Sequence, residues 1–365
     1  MTDASLMPVI PRGIARAIPR FGWWEAMGME AGMETNTGLT QRGTGPAVGL
    51  DDIRTVANVG TGTMGHAIAL QFALAGYATR LVGRSEASLD RAMTNIRADA
   101  GTFADAGLLR DGESVNDVLA RITPVIGYEQ GVADADFVIE AIVENLDVKR
   151  EAWREIEQFA PKNAIFATNS SGLSPTAIAA ALECPERFVV AHFWNPAHLM
   201  PLVEVVPGER TDPQVLDTTV ELMRRIGKKP AKLNREALGF IGNRLQMAVL
   251  REEFHIIQEG IADAATVDDV MKYSLGRRWN LVGPVASIDL GGLDVFYNIS
   301  TYLFDDMDNG TGPSPLLAEK VKAGDLGAKT GRGFFSWQGE AGKRIIERRD
   351  AALLQALKDD AAVEK

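Results

Sequence analysis

From Ile53 onward, short apolar runs rich in β-branched residues alternate with segments whose apolar positions recur every three to four residues. "TVANVG" reads as a buried strand, "MGHAIALQFALAGY" as a helix and "ATRLVG" as a second strand. Further runs of strand character follow in "ADFVIEAIV", "AIFATN", "RFVVAHFW" and "PLVEVV". Strands alternating with helices predict a parallel sheet with helices on both faces over residues 51–235. After about residue 236 the strand pattern fades. "IGNRLQMAVLREEFHIIQEGI", "TVDDVMKYSL" and "GGLDVFYNISTYLF" have helical spacing, which predicts an all-α C-terminal domain over 236–336. A polar helix, "KRIIERRDAALLQALKDD", is expected in the tail, 337–365. Residues 1–50 break the pattern, with several Gly and Pro and five Met, and read as a weakly ordered or accessory extension. Within them, a short surface helix is expected to carry Trp23 and Trp24.

Composition narrows the classes. A chain of 365 residues suggests two domains at roughly 100–200 residues each. With 46% hydrophobic and 24% charged residues it can bury a sizeable core. A net charge of −11 argues against nucleic acid as the main partner, since phosphate binding needs a basic surface. The single cysteine, Cys184, excludes an intrachain disulfide and fits a reducing cytoplasmic setting. No apolar run approaches the ~20 residues of a membrane span, and Pro11 and Pro19 interrupt the arginine-bearing N-terminus, so a secretory signal is not expected.

Gly60-Thr61-Gly62-Thr63-Met64-Gly65 fits G-x-G-x-x-G, and here it follows a strand and opens a helix, as a dinucleotide site requires. Gly60 allows the tight turn, Gly62 the approach of the pyrophosphate, and Gly65 the packing of helix on strand. The amides and helix dipole at Thr63 and Met64 receive the anion. The second strand ends in Gly83, Arg84 and Ser85 where NAD enzymes usually carry an acidic residue for the ribose. Without that carboxylate a 2′-phosphate is not repelled, and a guanidinium with a hydroxyl can hold it, so NADP is favoured over NAD. The alternative is that Arg84 is a surface residue stacking on adenine.

Of four histidines, His66 and His255 read as structural. His192 ends the run "FVVAHFWNP", at a strand edge that faces the cofactor crevice in this architecture. Glu204 lies in the next run, among valines and a leucine, where a carboxylate needs a partner. A His192–Glu204 pair would fix the tautomer of the imidazole and raise its basicity. His192 and His198 lack a supporting ligand cluster, so no metal is expected.

The segments "VGTGTMGHAIA", "ADFVIEAIVENLDVK", "FATNSSGLSP", "AHFWNP", "PLVEVV", "GFIGNRL" and "LGAKTGRGFF" resemble, in order and spacing, those of the L-3-hydroxyacyl-CoA dehydrogenases over roughly 54–336. The resemblance implies a doubly wound (Rossmann) dinucleotide-binding domain followed by an all-α domain that mediates dimerisation. It places the base at His192 and its orienting carboxylate at Glu204. It puts the serine that bonds the reacting oxygen at Ser171 and the substrate-holding asparagine at Asn243. Cofactor contacts fall on Glu144, Lys149, Asn195 and Lys329. The implied reaction is interconversion of a C3 alcohol and ketone.

Three departures from the family pattern stand out. Gly83 replaces the ribose-binding aspartate, and Leu238 replaces a proline before "GF". In the arm "RADAGTFADAGLLRDGES", Asp99 and Ala106 fall where serine and lysine would meet the CoA nucleotide, and an acidic arm repels phosphates. That arm, with "NRLQ" and "LGRRWNLVGP", is similar to relatives acting on small free 3-hydroxy acids, such as carnitine and L-gulonate dehydrogenases. Arg277 and Arg278 would then clamp a carboxylate, or are simply surface residues. A third reading is a cofactor-binding protein without turnover, as crystallins of this superfamily illustrate; the full set Ser171, His192, Glu204 and Asn243 argues against it. The apolar helices "FYNISTYLF" and "RLQMAVL" suggest a homodimer.

Overall fold

Runs such as Phe137–Ile139 and Ile165–Ala167 have no polar face to offer water, so they need cover on both sides. In a computed structural model, which describes residues 47–363, they form the centre of an eight-stranded sheet. The helix expected at Trp23 and Trp24 lies outside the described residues. The strands are β1 Thr55–Val59, β2 Ala78–Gly83, β3 Ile122–Ile126, β4 Phe137–Glu140, β5 Ile165–Thr168, β6 Phe188–Phe193, β7 Leu202–Pro207 and β8 Lys229–Lys232. Their spatial order is β3-β2-β1-β4-β5-β6-β7-β8.

The sheet is parallel as expected except at one pair, where β6 and β7 are antiparallel. Residues 194–201 are too few for a crossover, which takes a dozen or more, so the chain doubles back. Two strands, β3 and β8, escaped the hydrophobic pattern. Both are edge strands with exposed positions, and "KPAK" has no apolar run at all.

The sheet-bearing half carries α1 Thr63–Leu74, α2 Glu86–Asp105, α3 Val115–Ala120, α4 Tyr128–Val132, α5 Leu146–Phe159, α6 Pro175–Ala179 and α7 Pro213–Arg225. One face of the sheet packs α1, α2, α3 and α7; the other packs α4, α5 and α6. Trp153 of α5 is the largest wholly buried side chain and stacks edge-on against Phe188, centroids 5.1 Å apart. Chain connections leave β1 towards β2 on one side, and β4 lies on the other. That reversal opens a crevice at the C-terminal ends of β1 and β4.

Beyond β8 the chain is helical: α8 Gly242–Gln258, α9 Ala264–Val270, α10 Gly276–Trp279, α11 Pro284–Gly291, α12 Leu293–Leu303, α13 Pro315–Lys322 and α14 Gly339–Val363. A π-helical turn, Met271–Leu275, joins α9 to α10, so "TVDDVMKYSL" is helical throughout but not uniformly α. Across residues 241–336 the sole buried side chain is Val267. Among the described residues no helix is long and apolar enough to cross a membrane.

Candidate active site

The glycine turn is built by close approach. Gly60 has φ 120°, and a Cβ there would lie 2.5 Å from the Ala141 carbonyl oxygen. A Cβ on Gly65 would lie 2.1 Å from the Gly60 carbonyl oxygen, so both positions exclude a side chain. Gly62 faces open space and caps α1 without a side-chain acceptor. The first amides of α1, including those of Thr63 and Met64, are thus available to an anion, and the dipole favours one. The turn therefore fits a dinucleotide pyrophosphate.

At the end of β2 a Cβ on Gly83 would sit 2.8 Å from Cγ of Leu89 and 3.0 Å from Cγ2 of Thr61. An acidic side chain at this position would need Leu89 to move, which gives the missing aspartate a steric correlate. Arg84 and Ser85 are exposed beside it. The Ser85 hydroxyl accepts from the Ser88 amide and caps α2, so it can still donate to a ligand.

Acidic residues shape the crevice floor. Glu140, wholly buried at the end of β4, accepts from the Ile142 amide (2.7 Å), the Lys149 ammonium (2.6 Å) and the Thr168 hydroxyl (2.8 Å). Glu144 accepts from the Ser170 hydroxyl (2.5 Å) and the amides of Ser171 (2.9 Å) and Gly172 (3.1 Å). Burial works against the charge on Glu144. The Ser170 hydroxyl, the Lys149 ammonium and the two amides outweigh it and hold the carboxyl below the usual range. Lys149, expected to touch the cofactor, is itself 1% exposed, with its ammonium between Glu140 and Glu144 (3.4 Å). Any effect it has on a ligand runs through Glu144.

His192 and Glu204 face each other as a cross-strand pair of β6 and β7, with Nδ1 2.9 Å from Oε2. An ionised carboxylate only accepts, so Nδ1 is the donor, and in the neutral imidazole this leaves the lone pair on Nε2. Glu204 is 1% exposed. Its other oxygen, Oε1, accepts the amides of Ile241 and Gly242, each at 2.9 Å, at the start of α8. Gly239 (φ 71°) and Phe240 (φ 52°) turn the chain through the left-handed region to aim those amides. Burial alone would raise the carboxyl of Glu204; His192 and the two amides overcome it and hold it below its ordinary value. The rings of Trp194 and Phe240 flank the imidazole, centroids 5.5 and 5.7 Å away.

Asn243 of α8 donates to the Ser171 carbonyl (3.0 Å), which joins the helical half to the crevice rim. The Ser171 hydroxyl has no protein partner among the described residues. Asn195 is exposed, just past β6.

Other expected residues lie elsewhere. Lys329 lines a cavity of about 480 Å³ within the helical half, among Phe254, Phe334 and Trp337, rather than the glycine turn. Arg277 and Arg278 are exposed on α10, and no hydrogen bond or ion pair joins them to the His192 pair. Leu238 is 61% exposed. Asp99 sits 3.3 Å from Nε2 of His66, with His198 on its other side at 4.0 Å. Burial lowers the proton affinity of His66, but Asp99 and the Gly62 carbonyl outweigh it and raise the net value; in His198 burial wins and lowers it. Among the described residues no three His, Cys, Asp or Glu side chains converge as metal ligands.

Two site residues went unrecognised in the sequence. Glu140 follows Ile139 at a strand end, the same signal of a buried carboxylate that singled out Glu204. Trp194 carried no signal, because its indole contact depends on where α8 begins.

The chain matches the family model of the 3-hydroxyacyl-CoA dehydrogenase NAD-binding domain over residues 55–237, and that of the family's C-terminal domain over 239–337. It is 33% identical over 303 residues to 5-formyl-3-hydroxy-2-methylpyridine 4-carboxylate 5-dehydrogenase of Mesorhizobium japonicum, covering 83% of this chain and 96% of that one. The crystal structure of a 5-dehydrogenase of the same substrate, described as an NAD+-dependent dismutase, aligns at TM-score 0.78 with 30% identity, covering 83% of this chain and 97% of that chain. An (S)-3-hydroxybutyryl-CoA dehydrogenase from Ralstonia eutropha aligns at 0.66 with 32% identity, covering 79% of this chain and all of that chain, 100%.

The lowered proton affinity of Glu204 fixes the sign of a pH effect. Its stabilisation is complete above the ordinary carboxylate value of about 4.3 and is lost as pH falls through the lower folded value. Glu204→Gln should therefore cost about 2–4 kcal/mol in urea unfolding at pH 7, and the gap from wild type should narrow toward pH 3. A gap that does not change with pH would show that the charge contributes nothing.

Proposed function

This chain belongs to the 3-hydroxyacyl-CoA dehydrogenase family of oxidoreductases, and we propose that it interconverts a secondary alcohol and the corresponding ketone with His192 as general base. The observation that carries this reading is the buried His192–Glu204 pair at the C-terminal end of β6, with Nε2 left open. Nε2 takes the hydroxyl proton of the alcohol, and Glu204, still ionised, stabilises the imidazolium. The nicotinamide, when bound, supplies the hydride acceptor. The Ser171 hydroxyl holds the reacting oxygen, and Asn243 keeps the Ser171 loop in place. Trp194 and Phe240 shield the imidazole from water. In the direction of reduction, His192 returns the proton to the oxygen.

NAD is the cofactor that the family implies. Gly60, Gly62 and Gly65 would receive its pyrophosphate, with Asn195 exposed near the nicotinamide end. Because Arg84 and Ser85 stand without an acidic neighbour at position 83, the site also admits the 2′-phosphate of NADP.

Asp99 favours a second reading of the substrate, a small free hydroxy acid instead of a CoA thioester. In the arm of α2 it offers a carboxylate, held by His66, where a CoA nucleotide needs cations. The Mesorhizobium relative, named for a pyridine carboxylate, supports that reading.

We also propose a homodimer. The helical half buries one side chain, while Leu281 (81% exposed), Leu290 (79%), Val285 (73%) and Tyr297 (69%) face outward. Helices need an apolar partner surface, and a second copy of the same face provides one of matched character.

Two measurements test these statements. With NADH, loss of nicotinamide absorbance should be faster with acetoacetate or another small 3-keto acid than with acetoacetyl-CoA, and NADPH should support it to within about an order of magnitude. Faster turnover of the thioester would return the site to acyl-CoA, and no turnover of either would count against the secondary-alcohol reading. Sedimentation should give twice the 39.4 kDa of the chain; a monomer at micromolar concentration would contradict the dimer.

A further inference from the structure

Glu204 accepts four hydrogen bonds on two oxygens, and the two oxygens are not equivalent. Oε1 takes the amides of Ile241 and Gly242. Oε2 takes Nδ1 of His192 at 2.9 Å and the indole Nε1 of Trp194 at 3.3 Å. We propose that Trp194 is a positioning residue of the reaction: by sharing Oε2 with His192, its indole N–H limits how strongly Glu204 can hold a proton on the imidazole.

The physical reason is local. Each N–H donated to a carboxylate stabilises its charge and lowers its own basicity, so it attracts a neighbouring imidazolium less. Two donors on one oxygen compete for the same lone-pair density. The indole cannot drift away to relieve this competition, because it is clamped against the start of α8. A Cβ on Gly242 would lie 2.2 Å from Cζ2 of Trp194, so the helix begins with a glycine where the ring lies. Trp194 is also tilted against the imidazole ring itself at 52°.

Of the charged groups around the pair, Lys228 is buried behind Phe193, its ammonium 5.9 Å from that ring and donating to the carbonyls of Ala197 and Met200, and burial lowers its pKa to about 7. β8 presents Ala231 opposite Glu204. The lysines on either side of it, Lys229 and Lys232, are exposed, and Lys232 pairs with Asp217. From α8, Asn243 is engaged with the Ser171 carbonyl, and Phe240 offers only its ring. On β6 the neighbour is Phe193. His192 and Glu204 hydrogen-bond to each other, whereas Lys228 is bonded to the carbonyls of Ala197 and Met200, so a change at position 194 acts on the His192–Glu204 pair.

The test separates the indole N–H from the ring. Trp194→Phe keeps an aromatic shelf for Gly242 and removes the donor. The imidazole of His192 should then release its proton at a pH higher by about 0.5 to 1, read by NMR titration of the full-length protein. This inference rests on the proposed base role for its kinetic half only. If His192 is the base, the acid limb of kcat/KM for alcohol oxidation should move upward with the NMR midpoint, since oxidation needs the neutral imidazole. A raised NMR midpoint with an unmoved acid limb would support the tuning by Trp194 and count against the base role of His192. An NMR midpoint that stays put or falls would overturn the proposal. Should the phenylalanine variant fold poorly by its thermal transition, Trp194→Met, which also lacks the donor, gives the same readout.

Discussion

The carboxylate of Glu204 is the constraint on which the two halves of the molecule depend. A charge with 1% of its surface in water must find its hydrogen bonds inside the protein. Glu204 finds them in three places: the imidazole of β6, the link that follows it, and the start of α8. The left-handed turn at Gly239 and Phe240 and the bare Cα of Gly242 both serve that approach. Because one side chain binds both halves, the imidazole it orients lies where the helical half meets the sheet.

The same device recurs under the cofactor crevice. Glu140 and Glu144 are held by donors from the loop after β4, from α5, from the end of β5 and from the loop after it, so the rim that carries Ser171 is fixed by hydrogen bonds to a carboxylate rather than by apolar packing. The buried Glu140–Lys149 pair contributes little to stability compared with an apolar core of equal volume, but removing one partner leaves an uncompensated charge. The sheet supplies the apolar foundation beneath them. Its central strands are covered on both faces, and their C-terminal ends deliver Gly60, Glu140 and His192 to one edge.

Much of this was legible in the chain itself. The glycine turn announced its context, because a strand and a helix flank it at the required distance. Glu204 was legible because a carboxylate between valines must be partnered. The reversal of β7 was not, since apolar alternation says nothing of strand direction, and β3 and β8 lie at edges where little needs burying. Lys149 was assigned a ligand contact by resemblance, yet its ammonium is spent on two glutamates. Lys329 lies in the turn after α13 and Arg277 and Arg278 lie on α10, and residue type and spacing do not say which cavity or face such a segment presents. The position of Trp194 over Gly242 depends on two segments 48 residues apart in number, and only the folded chain brings them together.

The base role of His192 is tested most directly by His192→Gln, which keeps a polar side chain of similar reach but has no titrating nitrogen. Turnover should fall by about 10²–10⁴-fold with whichever keto substrate the wild type reduces, while the affinity for NADH, measured by nicotinamide fluorescence, stays within about twofold. A variant that retains more than about a tenth of wild-type turnover would show that the proton moves through another group.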